Sequence, residues 1–158
     1  MSRVARAARV ASKQRAEILG NGTGAPTAKA IAAAETGELY MINHNNASEL
    51  AITLPPVKEG NYFRFQLMTE LNANGTITIN KNAADAAGTI KGTVLTFLFA
   101  GSSTNTQVAT NKDDGNDTKF TINDDTHVGS YVDVYCDGTN YQLSGVCISS
   151  AIANCVFS

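Results

Sequence analysis

From residue 37 onward, apolar and polar residues alternate in short runs separated by Gly, Asn, Asp or Pro. The runs cover residues 38–43, 50–54, 62–68, 76–80, 93–99, 106–109, 119–122, 130–136, 141–144 and 153–157. Period-two alternation turns one side of an extended chain toward a core and the other toward water, so each run predicts a half-buried strand. The clearest cases set Phe63, Phe65 and Leu67 against Arg64, Gln66 and Met68, and Val132, Val134 and Cys136 against Tyr131, Asp133 and Tyr135. Turn chemistry agrees. Asn74-Gly75 and Asp137-Gly138 are short hairpin signals, Pro55-Pro56 ends a strand, and Asp113-Asp114-Gly115 marks a loop. Many short strands without intervening helical periodicity predict an all-β fold, an antiparallel β-sandwich or jelly-roll-like barrel. No internal repeat stands out.

The N-terminal part reads differently. Residues 3–19 are rich in Ala and Arg, lack Pro and Gly, and run into Gly20-Asn21-Gly22. Those features predict a helix with a glycine stop, in an arm that is helical or extended when free. The glycines of residues 20–24 read as a hinge. Residues 20–36 allow two readings, a helix with Pro26 at its first position and residues 28–35 following, or a linker that becomes a first strand over residues 30–33, and the second is preferred. The expected organisation is an arm and hinge over residues 1–24 and a β-sandwich over residues 25–158.

Charge sharpens that division. The first 19 residues carry Arg3, Arg6, Arg9, Lys13 and Arg15 against one acid, Glu17. From Gly20 onward there are seven basic and thirteen acidic side chains, a balance of −6. The net charge of −2 hides this split. A body of that charge opposes a polyanion, and its aromatic residues are not interleaved with Lys or Arg, so nucleic acid is not the expected partner.

Candidate chemistry is sparse. Cys136, Cys147 and Cys155 lie in the last quarter without a CxxC spacing and read as reduced, buried thiols. No apolar run follows the basic N-terminus and none is long enough to span a bilayer, which predicts folding in a reducing cytoplasm and no membrane partner. His44 and His127 sit in polar surroundings and read as surface histidines. No local signature joins His127 to Cys136 as a base and nucleophile. Asp113, Asp114, Asp117, Asp124 and Asp125 have the wrong phase for a calcium loop and read as solvated turns. Residues 20–24 lack the preceding strand and following Lys-Ser/Thr of a phosphate loop. The Asn-x-Ser/Thr triplets at Asn21, Asn46, Asn74 and Asn116 are chance products of an Asn/Thr-rich chain. No catalytic residue, metal ligand or cofactor is assigned, and an enzyme is not expected.

One ordered set of segments carries a resemblance. Ile52-Thr53-Leu54-Pro55-Pro56 is followed by Gly60-Asn61-Tyr62-Phe63-Arg64-Phe65, then Gly75-Thr76-Ile77-Thr78-Ile79-Asn80 and Gly88-Thr89-Ile90-Lys91-Gly92. Near the end comes Gly129-Ser130-Tyr131-Val132-Asp133-Val134-Tyr135-Cys136-Asp137-Gly138-Thr139-Asn140-Tyr141. This order resembles small β-rich virion proteins of tailed bacteriophages, particularly those of marine and cyanobacterial phages. It covers residues 34–145 and leaves the basic arm outside. The resemblance implies a capsid decoration, or cement, protein. Such a protein sits on the outer face of the head as a homotrimer, binds the major capsid protein and stabilises the lattice. On that reading Arg3, Arg6, Arg9, Lys13 and Arg15 form a capsid-binding arm. The alternatives are a tail-associated carbohydrate- or receptor-binding domain, in which Tyr40, Tyr62, Tyr131, Tyr135 and Tyr141 stack on sugars, and a head–tail connector.

Overall fold

The computed structural model describes residues 15–71, 74–98, 107–113 and 115–158. Among them run the strands β1 (Ala16–Gly22), β2 (Lys29–Ala30), β3 (Leu39–His44), β4 (Glu49–Thr53), β5 (Tyr62–Leu67) and β6 (Thr76–Asn80). They continue as β7 (Ile90–Leu98), β8 (Gln107–Lys112), β9 (Lys119–Ile122), β10 (Tyr131–Cys136), β11 (Tyr141–Ser149) and β12 (Cys155–Phe157). Two short 3₁₀ turns occupy Ala33–Glu35 and Ile152–Asn154. The strands build a seven-stranded sheet, β1-β3-β5-β10-β11-β7-β8, and a five-stranded sheet, β12-β9-β6-β4-β2. The expected all-β sandwich is what forms, and each alternating run overlies one of the strands β3 to β12.

Alternation places the core. Phe63, Phe65 and Leu67 of β5, Tyr40 and Ile42 of β3, and Val132, Val134 and Cys136 of β10 are buried on the inner face of the larger sheet. Leu50, Ile52, Ile77, Ile79, Phe120 and Ile122 cover the inner face of the smaller one. Tyr40 stacks on Phe65 with ring centroids 5.3 Å apart. All three cysteines are buried free thiols. His44 follows Tyr40 and Ile42 in the same phase and is fully buried, with Nε2 2.9 Å from the Ser48 carbonyl oxygen. Its expected surface position is thereby corrected, because the period of two runs one residue further than the apolar residues do.

Strand direction departs from the antiparallel jelly-roll expectation. The pairs β1–β3, β3–β5, β2–β4, β4–β6 and β7–β11 are parallel. The first six strands alternate between the two sheets, so the chain winds as a flattened coil before turning into antiparallel pairs such as β10–β11 and β7–β8. Ala16 pairs with Leu39 and Lys29 with Ile52, an offset of 23 residues in both sheets. Alternation and turn residues specify a strand's faces but not the sheet it joins, and parallel neighbours require a crossover.

The N-terminal expectations change as well. Residues 16–19 lie in β1 rather than in a helix, because Leu19 is buried against the core in register with Ile42. Tertiary burial outweighs the helix propensity of an Ala-rich stretch. Residues 1–14 lie outside the described residues. Gly20 is no free hinge: its φ is +88°, and a Cβ there would collide with the Asn43 carbonyl oxygen. The first strand expected over residues 30–33 is met only in part: β2 is the second strand and ends at Ala30, Ile31 still donates its N–H to the Thr53 carbonyl at 2.9 Å, and Ala33 opens the 3₁₀ turn.

Candidate functional site

The outer face of the seven-stranded sheet carries an organised set of outward-pointing side chains. β5 and β10 are antiparallel neighbours that pair Arg64 with Asp133, Gln66 with Tyr131, and Tyr62 with Tyr135. All six point away from the core, since Phe63, Phe65, Val132 and Val134 take the inward positions.

At the centre, Arg64 grips Asp133 with both ends of its fork. Nε donates to Oδ1 at 2.6 Å and Nη2 to Oδ2 at 2.5 Å. The Tyr62 hydroxyl donates to the same Oδ1 at 2.7 Å. The Arg64 guanidinium carbon lies 4.8 Å from the Tyr131 ring centroid, within cation–π range. Partial burial pushes the Asp133 carboxyl up, but the hydrogen bonds from Arg64 and Tyr62 outweigh it and hold the group below its ordinary value. The bond to Asp133 raises Arg64, and burial followed by the adjacent carboxylate raises Tyr62. The cluster is therefore charge-compensated from within.

Apolar side chains flank this ladder. Ile18 pairs in register with Met41, Met41 with Gln66, Tyr131 with Val146 and Val146 with Leu95, a row that crosses six strands. Ile18, Leu95 and Tyr135 are exposed. Among its described residues this face has no activated nucleophile, and beside the paired Arg64 and Asp133 it carries Lys91 and Lys112 at outward positions of β7 and β8. It can make broad, wet contacts of mixed apolar and polar character.

The tyrosines divide by face. Tyr62, Tyr131 and Tyr135 lie on the outer surface, whereas Tyr40 and Tyr141 are fully buried. The Tyr141 oxygen sits 2.6 Å from Asp85 Oδ2 and 2.7 Å from the Pro55 carbonyl oxygen, which ties β11 to the loops after β4 and β6. Only the first three can stack on a sugar. The Asp137-Gly138 turn forms between β10 and β11 as expected. Asp137 accepts bonds from the N–H groups of Asn140 and Thr139 and from the Gln142 amide, which hold its carboxyl down at about 2.

Of the basic residues assigned to the arm, Arg3, Arg6, Arg9 and Lys13 lie outside the described residues. Arg15 is described. Its carbonyl accepts the Leu39 N–H at 2.8 Å, and its exposed guanidinium reaches to 3.7 Å from Glu38 Oε1. His127 stands before β10, with Nδ1 3.4 Å from Glu70 Oε1, while Cys136 is at the far end of that strand, so the two do not meet. Asp113 accepts the Gly92 N–H at 2.7 Å and acts as a turn residue. Among the described residues, the acidic side chains that do converge are Glu17, Glu35 and Glu38, which the sequence did not single out.

The chain matches no family model, no curated protein and no solved structure.

Proposed function

We propose that this protein is a capsid decoration protein of a tailed-phage virion, which docks on the major capsid protein through the outer face of the seven-stranded sheet. The observation that carries the reading is that face: a seven-stranded surface with exposed Ile18, Leu95 and Tyr135 around the hydrogen-bonded Arg64–Asp133–Tyr62 cluster. The resemblance to virion β-proteins supports it, and its most distinctive segments fall on β5 and on the β10–β11 hairpin, at the middle of the same sheet. A structural protein needs no convergent catalytic groups, and it gains occupancy from many weak contacts repeated on a lattice. The basic residues Arg3, Arg6, Arg9, Lys13 and Arg15 add attraction to an acidic capsid surface, and a homotrimer fits a position on a threefold axis. The protein is then made in the host cytoplasm and resides on the virion surface.

The test is addition of purified protein to heads that lack it, with attachment read by co-sedimentation. Leu95→Asp with Tyr135→Glu should abolish attachment while the unfolding temperature stays within a few degrees of wild type. Full attachment of that variant would remove the outer face from the proposal. Deletion of residues 1–14 should weaken attachment and flatten its loss with salt, because the screened charge–charge part of binding goes with the arm; unchanged attachment would remove the arm.

The shared position of Tyr62, Tyr131 and Tyr135 favours a second reading, carbohydrate binding by a tail-associated domain. A glycan array separates the two, since saturable, tyrosine-dependent binding to a sugar supports only the second.

A further inference from the structure

The open edge of the sandwich, where β1 and β2 are the outermost strands of their sheets, holds a second cluster. Glu17 lies on β1 in register with Tyr40, Glu35 ends the 3₁₀ turn and Glu38 precedes β3. One oxygen from each carboxylate lies within 4.8 Å of the others, and Glu38 is buried. Three like charges at that separation require compensation.

The compensation is incomplete. Lys29 Nζ stands 2.8 and 3.1 Å from the two Glu17 oxygens and 2.9 Å from Glu35 Oε1. Glu38 faces Arg15 at 3.7 Å, but that guanidinium is 80% exposed and its charge is screened by water. The second observation is Tyr40. The residue is fully buried, and its hydroxyl meets no partner at normal hydrogen-bond distance and angle, although it lies close enough to Glu35 and Glu38 to interact with both. That hydroxyl nevertheless sits among the same carboxylates: burial and then Glu35, Glu38 and Glu17 push the phenol far above its ordinary value. A buried hydroxyl without a well-formed partner, close to Glu35 and Glu38, is a neutral oxygen donor beside anionic ones.

We propose that Glu17, Glu35, Glu38 and the Tyr40 hydroxyl form a divalent-cation site, in which Lys29 is the cation that the metal displaces. The donor set is oxygen only, which selects a hard ion. Its irregular spacing and the capacity of Glu17 to bind through both oxygens favour Ca²⁺ over the stricter Mg²⁺. Lys29 has somewhere to go. A cleft of about 390 Å³, lined by Glu17, Asn21, Thr27 and Lys29 itself, opens beside the cluster, and the four-carbon stem can swing the ammonium into it. Replacing one positive charge by two reduces the local excess of negative charge. The bound ion would tie β1 to the 3₁₀ turn and to the start of β3, fixing the edge that the basic segment enters.

The experiment is calorimetric titration of chelator-treated, full-length protein with CaCl₂, beside thermal unfolding in CaCl₂, MgCl₂ and NaCl of matched ionic strength. Saturable Ca²⁺ binding is expected, with a rise in unfolding temperature that NaCl does not reproduce. Glu38→Gln should weaken binding at least tenfold, and Lys29→Met should strengthen it at least tenfold by removing the competitor. No saturable binding to wild type up to about 10 mM, well beyond the range of extracellular calcium modules, overturns the proposal. Binding by Lys29→Met alone also overturns it, because Lys29 is then a permanent occupant. Ca²⁺ affinity unchanged in Glu38→Gln overturns the assignment of the site. Tyrosine-sensitised Tb³⁺ emission from wild type, quenched by added Ca²⁺, gives a readout that does not depend on a variant folding; its absence counts against the site.

Discussion

Asp133→Asn isolates the cluster at the centre of the outer face of the seven-stranded sheet. The substitution keeps the side chain's shape and removes its charge. It turns three hydrogen bonds to a carboxylate, from Arg64 Nε and Nη2 and from the Tyr62 hydroxyl, into at most two to an amide oxygen. An NH₂ group then faces a guanidinium that also donates. Hydrogen bonds to charged groups contribute about 1.5–3 kcal/mol each when sheltered. The shelter here is partial, since the Arg64 and Asp133 side chains are 38% and 18% exposed, and Arg64 recovers hydration when released. Discounting for water gives a loss of about 1–2 kcal/mol for the whole cluster. For a chain of this length that is a fall of about 2–8 °C in the unfolding temperature. The chain has no tryptophan, so urea unfolding followed by far-ultraviolet circular dichroism is the direct assay.

The pH dependence makes the test specific. The folded-state value of Asp133 lies below its unfolded value, so the unfolded chain binds the extra proton between the two. The contribution is fully present above the unfolded value of about 4 and is lost as pH falls through the folded one. The amide of the variant would not titrate, so the gap between wild type and variant should narrow from pH 7 toward acid. A gap below about 0.5 kcal/mol at pH 7, within the usual range for surface substitutions, would refute the account. So would a gap of about 1–2 kcal/mol that remains constant as acid is added down to the base of the transition.

Two further substitutions test how the sandwich is closed. Tyr141→Phe removes the hydroxyl beside Asp85 and the Pro55 carbonyl and should cost about 1–3 kcal/mol in urea unfolding; a neutral result would mean that the loops after β4 and β6 do not depend on it. Gly20→Ala forces a Cβ against the Asn43 carbonyl at positive φ and should destabilise by about 2 kcal/mol or more, read as a shift in the urea midpoint, whereas a free hinge would tolerate it.

The period of two is legible because it is local. A strand's inward and outward residues are set by its own sequence, so Phe63, Val132 and Arg64 take the faces that alternation assigns them. The coil is not legible for the opposite reason. Equivalent positions on β1, β3 and β5 hold Glu17, Tyr40 and Phe65, and on the next pleat Ile18, Met41 and Gln66. Of the positions in register, Leu19, Ile42 and Leu67 keep one character through all three strands. A winding whose repeats share geometry but not residue type leaves little periodic signal to detect. The pairing of Arg64 with Asp133 spans 69 positions, and no spacing rule predicts it. Glu17, Glu35 and Glu38 meet because a crossover brings β1 beside β3, and no spacing in the chain announces that either.

The same crossover relocates the electrostatic boundary. Sequence alone puts it at Gly20, where helix-forming residues meet glycine, and so counts Glu17 with the basic segment. Pairing of β1 with β3 begins at Ala16. Glu17 then belongs to the sandwich edge, held by Lys29, and the residues before Ala16 carry all five basic side chains and no acid. The division of charge is therefore sharper than composition suggests. The uniformly positive segment enters the fold beside three carboxylates, of which Glu38 already faces Arg15. An acidic capsid surface would compete with that edge for Arg15. Attachment and calcium would then be coupled, because a cation that neutralises Glu38 releases Arg15 for the partner. Tighter attachment of wild-type protein to heads in calcium, lost in Glu38→Gln, is the signature of that coupling.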